Sequence, residues 1–344
     1  MRKAREYLGL ERFDLIALGA LLVVAFVFRF FSPLMPDFFT HPFDGPPISD
    51  CVKSTPVDPQ GHLGTLCGLA YPFQKGYAAS SGQPLSPPEG EIFDEIYFAV
   101  FAHDDLRGNS YFDPEPPLSK EFIAAGEWGW GWFRATFQGA RGNYADLGFN
   151  PFGWRIMSCL FGTLCVPMMY LLAHRLWPNR LFALSAGILT CFDGMFFVQS
   201  RIGMIDIFPI FLILLSYFVF LLHWRAQSRL EAVVTMFATG IVIGLAVSAK
   251  WISLAAWGSM VLLVFLRWLR PHLDLSLGGW RWGKGEEPAI SGGLPFANYL
   301  GLGVIAMVLI PLVIYVCSWQ PFFSRGQFHT CLLYTSPSPR DRQK

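Results

Sequence analysis

Apolar residues run in long blocks along this chain, at about 15–31, 152–173, 181–198, 203–222, 232–249, 252–266 and 298–317. A helix needs roughly 20 such residues to cross the hydrocarbon core of a bilayer, so the pattern predicts seven membrane spans. The 252–266 block is the shortest, and its flanks, Trp251 and Trp268, suit anchoring at the membrane interface. The first block runs on through 23–27 into Phe30 and Phe31 with no small-residue cleavage site, which reads as a retained span and not a signal peptide. Arg29, near its end, needs an interface or a partner. Between the first and second blocks lies a polar stretch, 32–150, rich in Pro and Gly up to Gly90 and more ordered in pattern beyond. The expected architecture is an all-α polytopic membrane protein with a large first loop on one side.

Composition sharpens this. Of 344 residues, 53% are hydrophobic and 15% charged, against about 25% charged in an ordinary soluble domain. That excludes a compact soluble enzyme and a disordered chain. A net charge of +1 leaves no global basic field for nucleic acid. The distribution of the cations sets the orientation. With the N-terminus inside, Arg2, Lys3, Arg5, Arg12, Arg175, Arg180, Arg225, Arg229, Arg267, Arg270, Arg281 and Lys284 fall on the cytoplasmic side. The short outer connections keep Arg201 and Lys250, with Arg155 entering the second span. The 32–150 loop therefore faces the periplasm, cell exterior or organelle lumen.

Cys159, Cys165, Cys191 and Cys317 fall in apolar blocks, where cysteine behaves as a small hydrophobe. Cys51 and Cys67 lie in the polar loop without CxxC or Cys/His metal spacing; on an extracytoplasmic face they are candidates for a disulfide. Cys331 belongs to a C-terminal run, about 328–344, that reads as a translated adaptor or vector sequence, with a genuine disordered tail as the other reading. The expected organisation is a catalytic region over 1–327, an N-terminal portion of a longer protein, followed by a non-native tail at 328–344.

Several polar positions carry candidate chemistry. Asp94 and Glu95 stand together in the apolar-aromatic run 92–98, where adjacent carboxylates are costly unless paired or used. Asp113, Glu115 and Lys120 lie in the run 111–120, whose prolines fix an extended turn before a helix from about Glu121 to Trp132. Arg155, Arg201 with Asp206, and Lys250 sit at outer membrane boundaries, where ionisable groups are functional candidates. Blander readings stand beside each: a solvated Asp-Glu face, a Pro-Pro helix stop, snorkelling cations, or an Arg201–Asp206 ion pair that only ties helices. Taken together, cations and carboxylates converge on one side. This is the layout for holding an anionic lipid headgroup beside a proton acceptor.

The runs at 93–98, 111–120, 152–155, 193–201 and 248–251, in that order, resemble the protein O-mannosyltransferases, membrane glycosyltransferases of the GT-C class. The resemblance covers about 93–323. It implies a GT-C helix bundle, a polyprenyl-phosphate-mannose donor and a Ser/Thr side chain of a secreted polypeptide as acceptor. The family's Asp-Glu motif falls on Asp94 and Glu95, its second acidic position on Asp113 and its second-span arginine on Arg155. The chain departs from the pattern at Glu115, where many members have His, and at Ser119, where they have Gly. Residues 41–90 look like an insertion, and no MIR-type module is visible. On this reading Asp94, Glu95 and Asp113 are catalytic, Arg155, Arg201 and Lys250 bind the donor phosphate, and Glu115 and Lys120 position substrate.

The reaction implied is a single inverting displacement with Asp94 as base. No cofactor is required and no metal-ligand spacing is present, although a divalent cation bridging the phosphate and Asp113 is compatible with the sequence. A bacterial plasma membrane is favoured over the endoplasmic reticulum, with the site on the outer or lumenal face. The alternatives are another GT-C enzyme with a non-protein acceptor and a membrane transporter; a transporter would keep midplane charges and internal repeats, but no convincing repeat is present and the long outer loop carrying the carboxylates is better explained by catalysis.

Overall fold

The computed structural model describes residues 9–31, 95–109, 111, 113–269, 275–277, 280–282 and 291–324. Asp94, Cys51, Cys67 and the 328–344 run lie outside these residues.

The first span is helix α1, Arg12–Phe30, with Asp14 in its first turn accepting the Glu11 N–H at 2.7 Å. In the 32–150 stretch the described helices are α2, Glu95–Arg107, α3, Leu118–Phe137, and the short α4, Tyr144–Gly148. Next comes α5, Pro151–Leu176. Asn150 caps it, its side-chain oxygen accepting the N–H groups of Phe152 and Gly153 at 3.1 and 3.2 Å, and Pro151 opens the first turn. This cap fixes where Arg155 emerges.

The third apolar block is broken. It forms α6, Arg180–Phe192, and a six-residue α7, Gly194–Gln199, because Asp193 leaves helical geometry and caps the second piece through the Phe196 N–H at 2.7 Å. A non-helical connection, 200–206, leads to α8, Ile207–Trp224, followed by α9, Arg229–Ala249, and α10, Ser253–Leu269. A small antiparallel hairpin, β1 Leu275–Leu277 with β2 Trp280–Trp282, pairs Leu275 with Trp282 and is the one departure from helix among the described elements.

The last apolar block forms α11, Phe296–Val304, a π-helical segment, Ile305–Leu309, and α12, Ile310–Ser318, followed by the short α13, Gln320–Ser324. The π-segment has a local cause. Pro311 has no N–H for the Met307 carbonyl, and the Trp257 indole of α10 donates to that carbonyl instead, at 2.6 Å.

Among the described residues, five helices are long and apolar enough to cross a membrane: Arg12–Phe30, Pro151–Leu176, Ile207–Trp224, Arg229–Ala249 and Ala297–Ser318. Arg180–Phe192 and Ser253–Trp268 are apolar but shorter. Large apolar side chains such as Ile16, Leu181 and Leu189 are more than 70% exposed, as lipid-facing residues should be.

The bundle packs around α5. On one flank α1 and α6 share a core of Ala17, Leu21, Ala25, Val166, Tyr170 and Ala183. Asp14 accepts from the Tyr170 hydroxyl at 2.8 Å and faces Arg180 Nε at 3.5 Å, tying the ends of the three helices together. On the other flank α2, α3, α8 and the 202–207 segment enclose Trp154, Ile123, Ile205 and Phe208. Helix α9 meets the π-segment at Gly240, where a Cβ would lie 1.8 Å from the Ala306 carbonyl oxygen.

That contact generates a stability test. Gly240→Ala should destabilise the folded bundle by about 1–3 kcal/mol through overpacking. Gly258→Ala, where the added Cβ meets nothing within 4 Å, should leave the thermal midpoint of the detergent-solubilised protein unchanged or slightly raised.

Candidate functional site

The site assembles at the end of the bundle where α1, α6 and α9 finish and α5 and α8 begin. Its centre is Glu95, fully buried in the first turn of α2. Arg155 of α5 holds it through two bonds, Nε to Oε1 at 2.5 Å and Nη2 to Oε2 at 2.7 Å. The Trp154 indole donates to Oε1 at 3.1 Å, and the backbone N–H of Gly203, in the 200–206 connection, donates to the same oxygen at 2.7 Å. A carboxylate taken out of water is tolerable only with such a donor set. The arrangement joins the 32–150 stretch to α5 and to the segment entering α8.

A second charged pair lies at the start of α3. Lys120, 1% exposed, forms an ion pair with Asp113 and donates to the Glu115 carbonyl at 2.8 Å, while Asp113 accepts the Glu115 N–H at 3.2 Å. Burial lowers the Lys120 pKa, opposed by Asp113, Asp105 and Glu115. Ser119, fully buried, donates towards the Ile205 and Ala249 carbonyls at 3.1 and 3.0 Å, so α3 starts where α9 ends and where α8 is about to begin.

A third pair follows from that junction. Lys250 Nζ lies 2.7 Å from Asp206 Oδ1 and 4.0 Å from Glu115 Oε1. Asp206 thus meets Lys250, and not Arg201 as one sequence reading had it. Asp113, Glu115, Asp206 and Lys250 line a cleft of about 300 Å³ whose opposite wall is Tyr97 and Phe101 of α2. Phe101 stacks on Tyr111 at 4.5 Å. The aromatic wall was present in the sequence as 97–101 but carried no signal separating it from core packing.

Two further cations are buried in the bundle. Arg201, 1% exposed, sets its guanidinium 4.9 Å from the Phe197 ring centroid. Burial lowers its pKa to about 10, with Cys159 opposing and Arg155 reinforcing the shift. Arg29, at the end of α1, is fully buried, with Nη1 4.0 Å from Cys191 Sγ and, among the described residues, no hydrogen-bond partner for Nε or Nη2. Cys159 feels Arg201, Arg155 and Arg29 together. Arg29 was visible in the sequence as a charge in an apolar block, but not as a neighbour of the other two.

Of the residues singled out from sequence, the structure brings Glu95 and Arg155 together, Asp113 with Lys120, and Glu115 with Lys250. Arg201 lies deeper, near Arg155. Arg155 holds Glu95 and so fixes a carboxylate as well as placing a cation at the site. Among the described residues no three His, Cys, Asp or Glu side chains are grouped to hold a metal ion. What the geometry offers is a cleft lined by carboxylates and an ammonium, with buried guanidinium groups elsewhere in the bundle. It suits binding an anion while a hydroxyl gives up its proton.

Comparison with known proteins bears on this arrangement. Residues 83–323 match the family described as Dolichyl-phosphate-mannose-protein mannosyltransferase. The chain is 29% identical, over 281 residues, to a polyprenol-phosphate-mannose–protein mannosyltransferase of Corynebacterium glutamicum, covering 72% of this chain and 47% of that protein. It is 28% identical over 220 residues to dolichyl-phosphate-mannose–protein mannosyltransferase 1 of Saccharomyces cerevisiae, covering 63% and 27%. The fold is similar to that of the S. cerevisiae protein O-mannosyltransferase Pmt1-Pmt2 complex bound to the sugar donor, with a TM-score of 0.59 at 20% identity, over 92% of this chain and 34% of that one. The chain spans about half the length, or less, of the curated relatives it matches.

The Glu95–Arg155 pair can be tested by double substitution. Arg155→Met alone strands a buried carboxylate and should cost about 3–5 kcal/mol of stability. Glu95→Gln with Arg155→Met should recover most of that loss in thermal unfolding. A double variant no more stable than Arg155→Met would show that the two side chains do not depend on each other.

Proposed function

We propose, from the fact that the chain belongs to the dolichyl-phosphate-mannose–protein mannosyltransferase family, that it moves mannose from a polyprenyl-phosphate-mannose donor to Ser/Thr hydroxyls of polypeptides. The observation that carries the reading is the cleft in which Lys250 stands among Asp113, Glu115 and Asp206, its wall completed by Tyr97 and Phe101 of the helix whose first turn carries Glu95. Transfer from a lipid phosphate to a hydroxyl needs a cation for the departing phosphate and a carboxylate for the proton, close together on one membrane face.

The chemistry is a single displacement at the anomeric carbon. The acceptor oxygen bonds to that carbon as its bond to the phosphate oxygen breaks, and the configuration inverts. Asp94 takes the hydroxyl proton. The clasp on Glu95 by Arg155, Trp154 and Gly203 fixes the first turn of α2. The lipid phosphate leaves with the electron pair, and Lys250 and Arg201 stabilise its growing charge. Asp113, held by Lys120, and Glu115 position the acceptor at the cleft mouth, with Tyr97 and Phe101 as its apolar wall.

The protein is an integral membrane protein, and residues 1–327 act as one catalytic region. The cations of the ends remote from the cleft, Arg175, Arg180, Arg225, Arg229 and Arg267, favour a cytoplasmic location for that side. The cleft then opens to the outside of a bacterial plasma membrane.

The test is transfer of labelled mannose from polyprenyl-phosphate-mannose to a Ser/Thr-rich peptide by membranes carrying the full-length protein. Asp94→Asn should lower the rate by about 10²–10⁴-fold at equal insertion. Undiminished transfer by the variant would remove Asp94 as the base. Absence of transfer by wild type beside an active reference enzyme would overturn the donor or acceptor assignment.

A further inference from the structure

The 32–150 stretch contains a buried acid that the transfer chemistry does not use. Glu127 of α3 is fully buried, and neither carboxylate oxygen has a hydrogen-bond partner among the described residues. Facing it from α2 is His103, itself 7% exposed, with Nδ1 3.7 Å from Glu127 Oε2. Asp104 and Asp105, on the same helix as His103, act on Glu127 as like charges. The other face of the imidazole is turned to α4, where Nε2 lies 3.5 Å from Asp146 Oδ1, a carboxylate that Arg107 of α2 holds at 2.7 Å. From α5 the neighbour is Gly153, which carries no charge. An ionised Glu127 would thus be a buried anion beside two further carboxylates, the least favourable form it can take. Burial, with Asp104 and Asp105 adding to it, raises its pKa well above the ordinary carboxylate range. Burial pushes His103 down to about 4, with Asp146 opposing and Arg107 reinforcing.

Glu127 also stands where three backbones touch. A Cβ on Gly148, at the end of α4, would lie 1.7 Å from the Glu127 carbonyl oxygen, and one on Gly153, in α5, 3.2 Å from its Cα. From its partner an unbroken line of contacts leads to the transfer site. The His103 ring stacks on Phe149 at 4.2 Å, Phe149 packs on Trp154 at 5.5 Å, and the Trp154 indole donates to Glu95.

We propose that the buried His103–Glu127 pair is a positioning latch for the transfer site: Glu127, packed against His103 where α3, α4 and α5 touch, seats α2 on α3 and α5 so that Glu95 meets Arg155, and a charge placed on it unseats them. The effect on transfer rests on the mannosyltransferase reading, whereas the effect on stability does not.

The direction with pH follows from the proton balance. Above the ordinary carboxylate pKa of 4.5, the folded chain keeps a proton on Glu127 that the unfolded chain has released. Stability therefore falls as pH rises from there, and levels off once Glu127 ionises in the folded protein. His103 acts at the acid end. As pH drops below 6.5 towards about 4, the unfolded chain gains a proton that the folded one refuses, and stability falls there too.

The experiment compares the full-length protein with Glu127→Gln in nanodiscs from pH 5 to 9, reading thermal midpoint and mannose transfer. Glutamine is a permanently neutral stand-in for the protonated acid. The Gln variant should melt with wild type near pH 5 and above it by a margin that widens with pH. Its transfer should match wild type while the margin is still widening and exceed it by about threefold or more once the margin has levelled off, the sign that Glu127 has ionised in the folded protein. A margin that is constant or negative at high pH, or a Gln variant that fails to insert, overturns the neutral acid. A widening margin with transfer that still follows the wild-type alkaline fall overturns the positioning role. A widening margin with no transfer by either protein supports the latch and overturns the mannosyltransferase reading instead.

Discussion

The buried bond between Glu95 and Arg155 is the constraint to which the rest of the site conforms. Each charge would be prohibitive in this interior without the other, and the remaining acceptor capacity of Glu95 is met by one indole and one backbone N–H. Those four donors come from two parts of the chain, the first turns of α5 and the 200–206 connection, while the acceptor comes from the far end of the 32–150 stretch. Removal of any one segment leaves an unsatisfied charge in the others. The energetic demand of a single carboxylate thereby brings α2, α5 and the entrance of α8 to one place.

Around this pair further charges are matched or buried. At the cleft, Asp113 is matched by Lys120, and Lys250 stands between Asp206 and Glu115. Two more guanidiniums, Arg29 and Arg201, are buried nearby, and both act on Cys159. A reaction in which a lipid phosphate departs and a peptide hydroxyl approaches needs cations and carboxylates within one site, and both are here. The Ser119 hydroxyl, aimed at the carbonyls of Ile205 and Ala249, fixes the start of α3 against the entrance of α8 and the end of α9.

The helical, membrane-spanning character of the chain was legible in the sequence because block length is a one-dimensional signal, although only five of the seven expected spans are, among the described residues, long enough to cross a membrane. The break at Asp193 was not, since the apolar run continues across it and only the capping geometry reveals that the helix restarts. Partner choice was the larger loss. Arg155 and Lys250 read equally well as phosphate ligands, and Arg201 with Asp206 reads as an ion pair five residues apart. In the fold Asp206 opens α8 next to the end of α9, so Lys250 reaches it first. Which cation meets which carboxylate depends on helix register and azimuth, which residue spacing within one segment does not encode. His103 and Glu127 escaped notice for a similar reason: one histidine and one glutamate on separate amphipathic helices carry no shared motif.

The structural coupling between loop and membrane helices has a mechanistic consequence. Helix α2 supplies the aromatic wall at Tyr97 and Phe101, Glu95 in its first turn, and His103 two turns further on; these lie on one rigid element. A shift of α2 along its axis by a single residue, about 1.5 Å, would misalign Glu95 from Arg155 and move the aromatic wall relative to Lys250 at the same time. Acceptor positioning and the geometry of the acidic centre are consequently not separable variables in this protein. A contact that seats α2, even one remote from the sugar, acts on both at once, and that is the physical basis on which a buried neutral acid in α3 can govern chemistry at the other end of its neighbour.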